Sequence, residues 1–168
     1  MINSKNIRDI SLWEKVFPAA LVPSHIFGDN QGSTEFHEEI TNRFLGKVWR
    51  DVSLNDWLCT ANVITIRYYM TPKAFHYYLP SLLFYVVDEK DNYLDWALDA
   101  LLPVNAKRIA KGDWWFSYVE EFSREQSLFI SSYLRYFDSI TSDDDGNKNL
   151  LRVAINNFWL TVPQPNVQ

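Results

Sequence analysis

Along most of this chain apolar residues return every three or four positions, and each stripe stops at a proline, a glycine or a capping residue. That punctuated period limits the fold more than any other feature, because it suits helices and leaves little room for a sheet. Ile7, Ile10, Leu12, Trp13, Val16 and Phe17 form the first stripe, and Pro18 follows it. Phe36, Ile40 and Phe44 form the second, with Glu35, Glu38, Glu39, Asn42 and Arg43 on the other face, Ser33 or Gly32 as the cap and Gly46 as the stop. Between them, Pro23 to Gly32 reads as loop. Ser53 with Asp56 resembles a capping box opening a short helix through Trp57, and Thr71 before Pro72 is a cap followed by a first-turn proline. The helix from there, Phe75 to Val87, is expected to bend at Pro80, whose ring meets the carbonyl of His76. Asp91 to Leu102, Trp114 to Phe122, and a helix launched by Ser123 and Gln126 as far as Phe137 come next. After an acidic loop, Thr141 to Asn147, a last stripe carries Leu151, Ala154, Ile155 and Phe158, and Pro163 and Pro165 mark a frayed tail over 161–168.

One segment departs from the period. Val63 to Met70 is rich in β-branched residues and alternates Ile64, Ile66, Tyr68 and Met70, which reads locally as a strand, yet no second alternating run offers it a partner. It is either part of a small hairpin or a helix disguised by its propensity. The expectation is therefore a mainly α single domain over residues 1–168, a bundle of six or seven helices with at most a minor strand element near 63–70.

Composition narrows the function classes. The 168 residues suffice for one core, and a lone cysteine, Cys59, can form neither an internal disulfide nor a thiolate metal site, so a reducing cytoplasmic setting is expected. Met1 to Ser11 lacks the apolar run of a signal peptide, and Tyr77 to Val87, the longest near-apolar run, falls well short of the ~20 residues that span a bilayer. With 16 Lys and Arg against 21 Asp and Glu, the formal charge of −5 disfavours nucleic acid, and the densest basic group, Lys107, Arg108 and Lys111, suits a helix end. A basic protein partner fits that charge better. Seven Trp, nine Tyr and eleven Phe exceed ordinary usage, and most must serve the core, leaving a surplus for a binding face.

The residue types that carry chemistry are present without the required spacing. His25, His37 and His76 fall in three segments with no pairing at three or four positions, so no metal site is expected. Asp143 to Asp145 before Gly146 lacks the alternation of a calcium loop and has Arg152 where its glutamate belongs. Gly46-Lys47 lacks the rest of a phosphate loop, and no cofactor is implied. An enzyme would have to assemble separated residues such as Cys59, His76 and Glu120 into a hydrolase or transferase site. A homo-oligomeric structural subunit is a third reading.

What remains is the surface. Glu35, Glu38 and Glu39 crowd like charges on one helix face, and Asp143, Asp144 and Asp145 form a second acidic zone. Acids with aromatic neighbours suit a basic protein groove, which makes these six the candidate partner-binding residues. Phe44, Gly46, Lys47 and Trp49, then Phe75, Tyr77, Tyr78, Leu79 and Pro80, then Phe122, Ser123 and Gln126, then Phe158 and Trp159, together resemble a family of small bacterial helical proteins over roughly residues 36–160. The resemblance implies a shared fold and transfers no catalytic residue. By type, the chain is also similar to bacterial immunity proteins, which neutralise a cognate toxin such as a contact-dependent growth inhibition nuclease. That similarity implies a non-enzymatic protein with a basic toxin as partner.

Overall fold

The computed structural model describes residues 6–28, 34–103 and 113–159. The expected cap at Gly32 or Ser33, the basic residues Lys107, Arg108 and Lys111, and the tail 161–168 lie outside these. Among the described residues the chain forms nine α-helices: α1 Ile10–Val16, α2 Thr34–Phe44, α3 Leu54–Leu58, α4 Val63–Tyr69, α5 Pro72–Val86, α6 Lys90–Leu101, α7 Asp113–Glu120, α8 Arg124–Ile140 and α9 Gly146–Ala154. A 3₁₀ turn at Trp49–Asp51 and a π turn at Ile155–Trp159 complete the order. None of the described helices is long and apolar enough to cross a membrane.

Most boundaries follow local chemistry. Ser53 and Asp56 form a reciprocal capping box at α3, and Ser123 and Gln126 do the same at α8. Thr71 Oγ1 accepts from Ala74 N at the start of α5, with Pro72 in the first turn. Gly46 follows α2 with φ at +79°, a left-handed conformation that side chains disfavour. Pro80 does not interrupt α5, which runs through it to Val86 with the ring buried. α6 carries a break of its own, where Tyr93 leaves helical geometry at φ −135° and ψ 15°. α5 is the hub, packing on α1, α3, α6, α7 and the 3₁₀ turn, while α8 packs on α1 and α9, and α9 on α6.

Val63 to Met70 corrects the strand expectation. Asn62 Oδ1 accepts from Thr65 N at 2.8 Å and starts a helix there, and Val63, Ile66, Arg67 and Met70 are buried at helical intervals. Tertiary packing overrides β-propensity because the helical face can bury four large residues where the alternating face would place Ile64 and Tyr68 inward. Extended pairing among the described residues shrinks to one bridge, Phe27 with Met70, in which Gly28 N donates to Tyr69 O and Thr71 N to Ile26 O, both at 2.9 Å.

The aromatic surplus has a structural use. The last carbonyls of a helix lack intrahelical donors, and this chain supplies them from distant side chains. Trp49 Nε1 donates to Phe17 O at the end of α1 at 2.8 Å, and Gln126 Nε2 donates to the neighbouring Val16 O at 3.2 Å. Tyr78 Oη donates to Phe44 O at the end of α2 at 2.6 Å, and Trp114 Nε1 to Met70 O after α4 at 3.0 Å. At the end of α6, Tyr118 Oη reaches Ala100 O at 3.1 Å, Trp159 Nε1 reaches Leu101 O at 2.8 Å, and Arg67 reaches Asp99 O and Leu102 O at 2.5 and 2.7 Å. Lys148 Nζ closes α8 by donating to Asp138 O and Thr141 O.

Candidate functional site

The two acidic zones lie on separate parts of the bundle. α2 packs on α3 and α4, whereas α9 packs on α6, α8 and the π turn, so the zones share no packed neighbour. Within each zone the carboxylates have different obligations. Glu39 is paired with Arg43, Nε to Oε2 at 3.3 Å, and Arg43 also reaches Asp56 at 3.8 Å. Glu35 and Glu38 are exposed and form no ion pair among the described residues. In the other zone Asp143 Oδ1 holds Arg152 at 2.8 Å and lies 4.0 Å from Lys148, while Asp145 caps α9 by accepting from Asn147 N at 2.8 Å. Asp144 is exposed, and its backbone N donates to Ser142 Oγ at 3.4 Å. Among the described residues, Glu35, Glu38 and Asp144 are therefore carboxylates without an ion-pair partner.

Beside the first zone stands an aromatic ladder that sequence reading missed. Phe27 meets His37 at a ring-centroid distance of 4.5 Å, His37 meets Tyr69 at 5.2 Å, Phe36 meets Tyr69 at 5.6 Å, and Tyr68 meets Tyr69 at 5.4 Å. Three of these four contacts are edge-to-face, the arrangement aromatic quadrupoles favour. The ladder ends in solvent: Tyr68 is 57% exposed and Ile64, one turn earlier, 38%. His37 is thus a packing residue on the half-buried side of α2.

Buried ionised groups are cations. Arg67 and Lys148 are buried, and no Asp or Glu among the described residues is. Arg67 lies over the rings of Trp114 and Trp115, at 4.8 and 5.5 Å, and has no carboxylate within ion-pair distance among the described residues. Burial lowers its pKa, and the charges of Tyr118 and Asp99 oppose that. Its Nε is buried without a hydrogen-bond partner among the described residues. The helix dipole of α6 takes the place of a counter-ion, since its terminal carbonyls carry partial negative charge. Asp99 has its pKa raised, first by burial and then by Asp95. Asp56 shows the opposite balance: burial pushes its carboxyl up, but hydrogen bonds from Ser53 and Lys47 hold it below the usual range.

The residues an enzyme would need keep separate company. Cys59 is exposed, with its Sγ 3.3 Å from Asn55 Oδ1. The His76 ring meets Phe122 at 4.5 Å and Phe17 at 6.3 Å, and its Nε2 donates to Gln126 Oε1 at 3.2 Å. The tautomer follows from Gln126, whose Oε1 already accepts from Ser123 N while its Nε2 donates to Val16 O. Burial holds this imidazole down at about 4, against the opposing pull of Gln126. Glu120 is exposed at the end of α7. No hydrogen bond joins Cys59, His76 and Glu120. A groove of about 210 Å³ between α1 and α8 is lined by Leu12, Val16, Leu128 and Phe129 with Glu125 at its margin, and offers one carboxylate without a second titratable group. No group of three or more His, Cys, Asp or Glu among the described residues is arranged to hold a metal.

The chain belongs to DUF6714, a family of unknown function whose pattern covers residues 27–162. The match takes in α2 through α9 and so includes the ladder and both acidic zones. No curated protein and no solved structure matches the chain.

Proposed function

We propose, with membership in a family of unknown function as premise and the chain's own surface as ground, that this is a non-enzymatic binding protein. The reading extends to a bacterial immunity protein that works in the cytoplasm and neutralises a cognate basic toxin, most concretely a nuclease of the contact-dependent growth inhibition type. The observation that carries it is the disposition of charge. Both buried charges among the described residues are positive, so the solvent-facing surface is more acidic than the formal charge of −5. Glu35 and Glu38 stand on that surface with no ion pair among the described residues, on a helix that packs against α4 and its exposed Tyr68. Such a face steers a basic partner toward itself and then buries a rigid ring against it, blocking the partner's substrate surface without making or breaking bonds.

Growth rescue tests the reading. The gene adjacent to this one is sequenced, and the C-terminal domain of the large toxin it is expected to encode is expressed with and without this chain. Restored growth together with a stable co-purified complex supports neutralisation. A locus without a toxin, or growth arrest that persists beside abundant folded protein, refutes it.

A further inference from the structure

We infer that the outward face of α4, anchored by Tyr68, is the surface on which an arginine- or lysine-bearing protein segment docks, with Glu35 and Glu38 of α2 supplying the facing charge. This rests on the binding reading above and names its surface and partner chemistry. α4 buries Val63, Ile66 and Arg67 on one side and leaves Ile64 and Tyr68, one helical turn apart, exposed on the other. The Tyr68 ring leans edge-on against Tyr69 at 82°, and Tyr69 is gripped by Phe36 and His37 from α2. Tyr68 thus presents most of an aromatic ring to solvent over a neighbour fixed by α2, and tyrosine supplies large contact area with few torsions to freeze on binding.

Charge selects the occupant. A cation over an exposed tyrosine face is attracted by its quadrupole, and the exposed carboxylates of the helix packed beside it can pair with the same cationic segment. Nucleic acid and anionic lipid are repelled by a surface of this sign. A second copy of the chain in a two-fold contact would set Glu35 and Glu38 against themselves. The other acidic zone is a poorer dock. Asp143 would have to release Arg152, and Asp145 would have to release the first turn of α9.

The probe is an oligo-arginine peptide titrated at low ionic strength into isotopically labelled protein, with oligo-glutamate of equal length as the control. The amide shifts of Glu35, Glu38, Ile64 and Tyr68 should move most. Tyr68→Ala should weaken the peptide roughly 2- to 30-fold, the range set by cation–π energies, with its melting temperature showing that it folds. Glu35→Lys with Glu38→Lys should abolish binding, and Asp144→Lys should leave it within about twofold. Shifts centred on the turn before α9, shifts spread evenly over the acidic surface, or a folded Tyr68→Ala that binds normally would overturn the inference. So would a concentration-dependent mass that Tyr68→Ala abolishes, which would make a second copy the occupant. If the peptide maps to α2 and α4 while growth rescue fails, the surface stands and the immunity role falls; rescue with the peptide elsewhere separates them the other way.

Discussion

Removing one phenolic oxygen from each of two buried tyrosines gives a direct measure of side-chain capping. Tyr133 Oη donates to Leu83 O at 3.0 Å in the last turn of α5, and both residues are fully buried. The N–H that would complete the helical pattern there, that of Val87, turns to Phe84 O at 3.3 Å instead. Tyr133→Phe therefore removes the side-chain donor of a buried carbonyl that its usual amide does not reach, at a cost of about 1–3 kcal/mol. Tyr78 Oη donates to Phe44 O at 2.6 Å, but that carbonyl also takes Lys47 N at 3.1 Å. Tyr78→Phe deletes the same atom and leaves its acceptor partnered, so it costs about 0.5–1.5 kcal/mol. Burial pushes the Tyr78 hydroxyl up to about 12 and that of Tyr133 well above 10, so both remain neutral donors at neutral pH. Urea denaturation at neutral pH reads the two costs. A loss of 2 kcal/mol at Tyr133 corresponds to a fall in Tm of about 4–8 °C for a chain of this size. Equal costs at the two sites, or a larger one at Tyr78, would refute the premise that an orphaned helix carbonyl sets the penalty.

Two further perturbations follow from the buried polar groups. His76 titrates near 4 in the folded chain and near 6.5 when unfolded, so the unfolded state binds more protons between these values. Stability should be complete above pH 6.5 and fall as pH drops toward 4, by roughly 3 kcal/mol in all. Urea midpoints of His76→Phe should be flatter than those of the parent across that window, and parallel slopes would dismiss the histidine as the cause. Lys148→Met removes the donor to Asp138 O and Thr141 O and should cost about 2–3 kcal/mol. Amide exchange should accelerate in the last turn of α8 more than in its first turns, and uniform protection would refute the capping role.

Local signals were legible in the sequence because their physics is local. Ser53 and Ser123 hydrogen-bond three residues away, and the left-handed conformation at Gly46 depends on that residue alone. α4 was misleading because its β-branched residues favour a strand, whereas the decision rests on what Val63, Ile66, Arg67 and Met70 pack against. That one ambiguity also hid the candidate site, since alternation groups Tyr68 with the buried Ile66 and the helical period separates them. Of the six acidic residues singled out, charge pattern identified all as surface candidates without revealing their obligations. Asp145 before Gly146 could have been read as a cap; the Arg152 partner of Asp143 lies two helical turns into α9. The closure of α6 by Arg67, Tyr118 and Trp159 spans 18 to 58 positions in sequence, a range at which periodicity carries no information.

That closure bears on how the chain comes off the ribosome. The Leu101 carbonyl receives its donor only once residue 159 has been made, so α6 emerges early and waits with one of its terminal carbonyls open. A nascent chain halted within α8 would hold the end of α6 through Arg67 and Tyr118 alone, with Trp159 and the packing of α9 still to come. The last closure of α6 therefore comes with the final described segment, when the π turn brings Trp159 to Leu101.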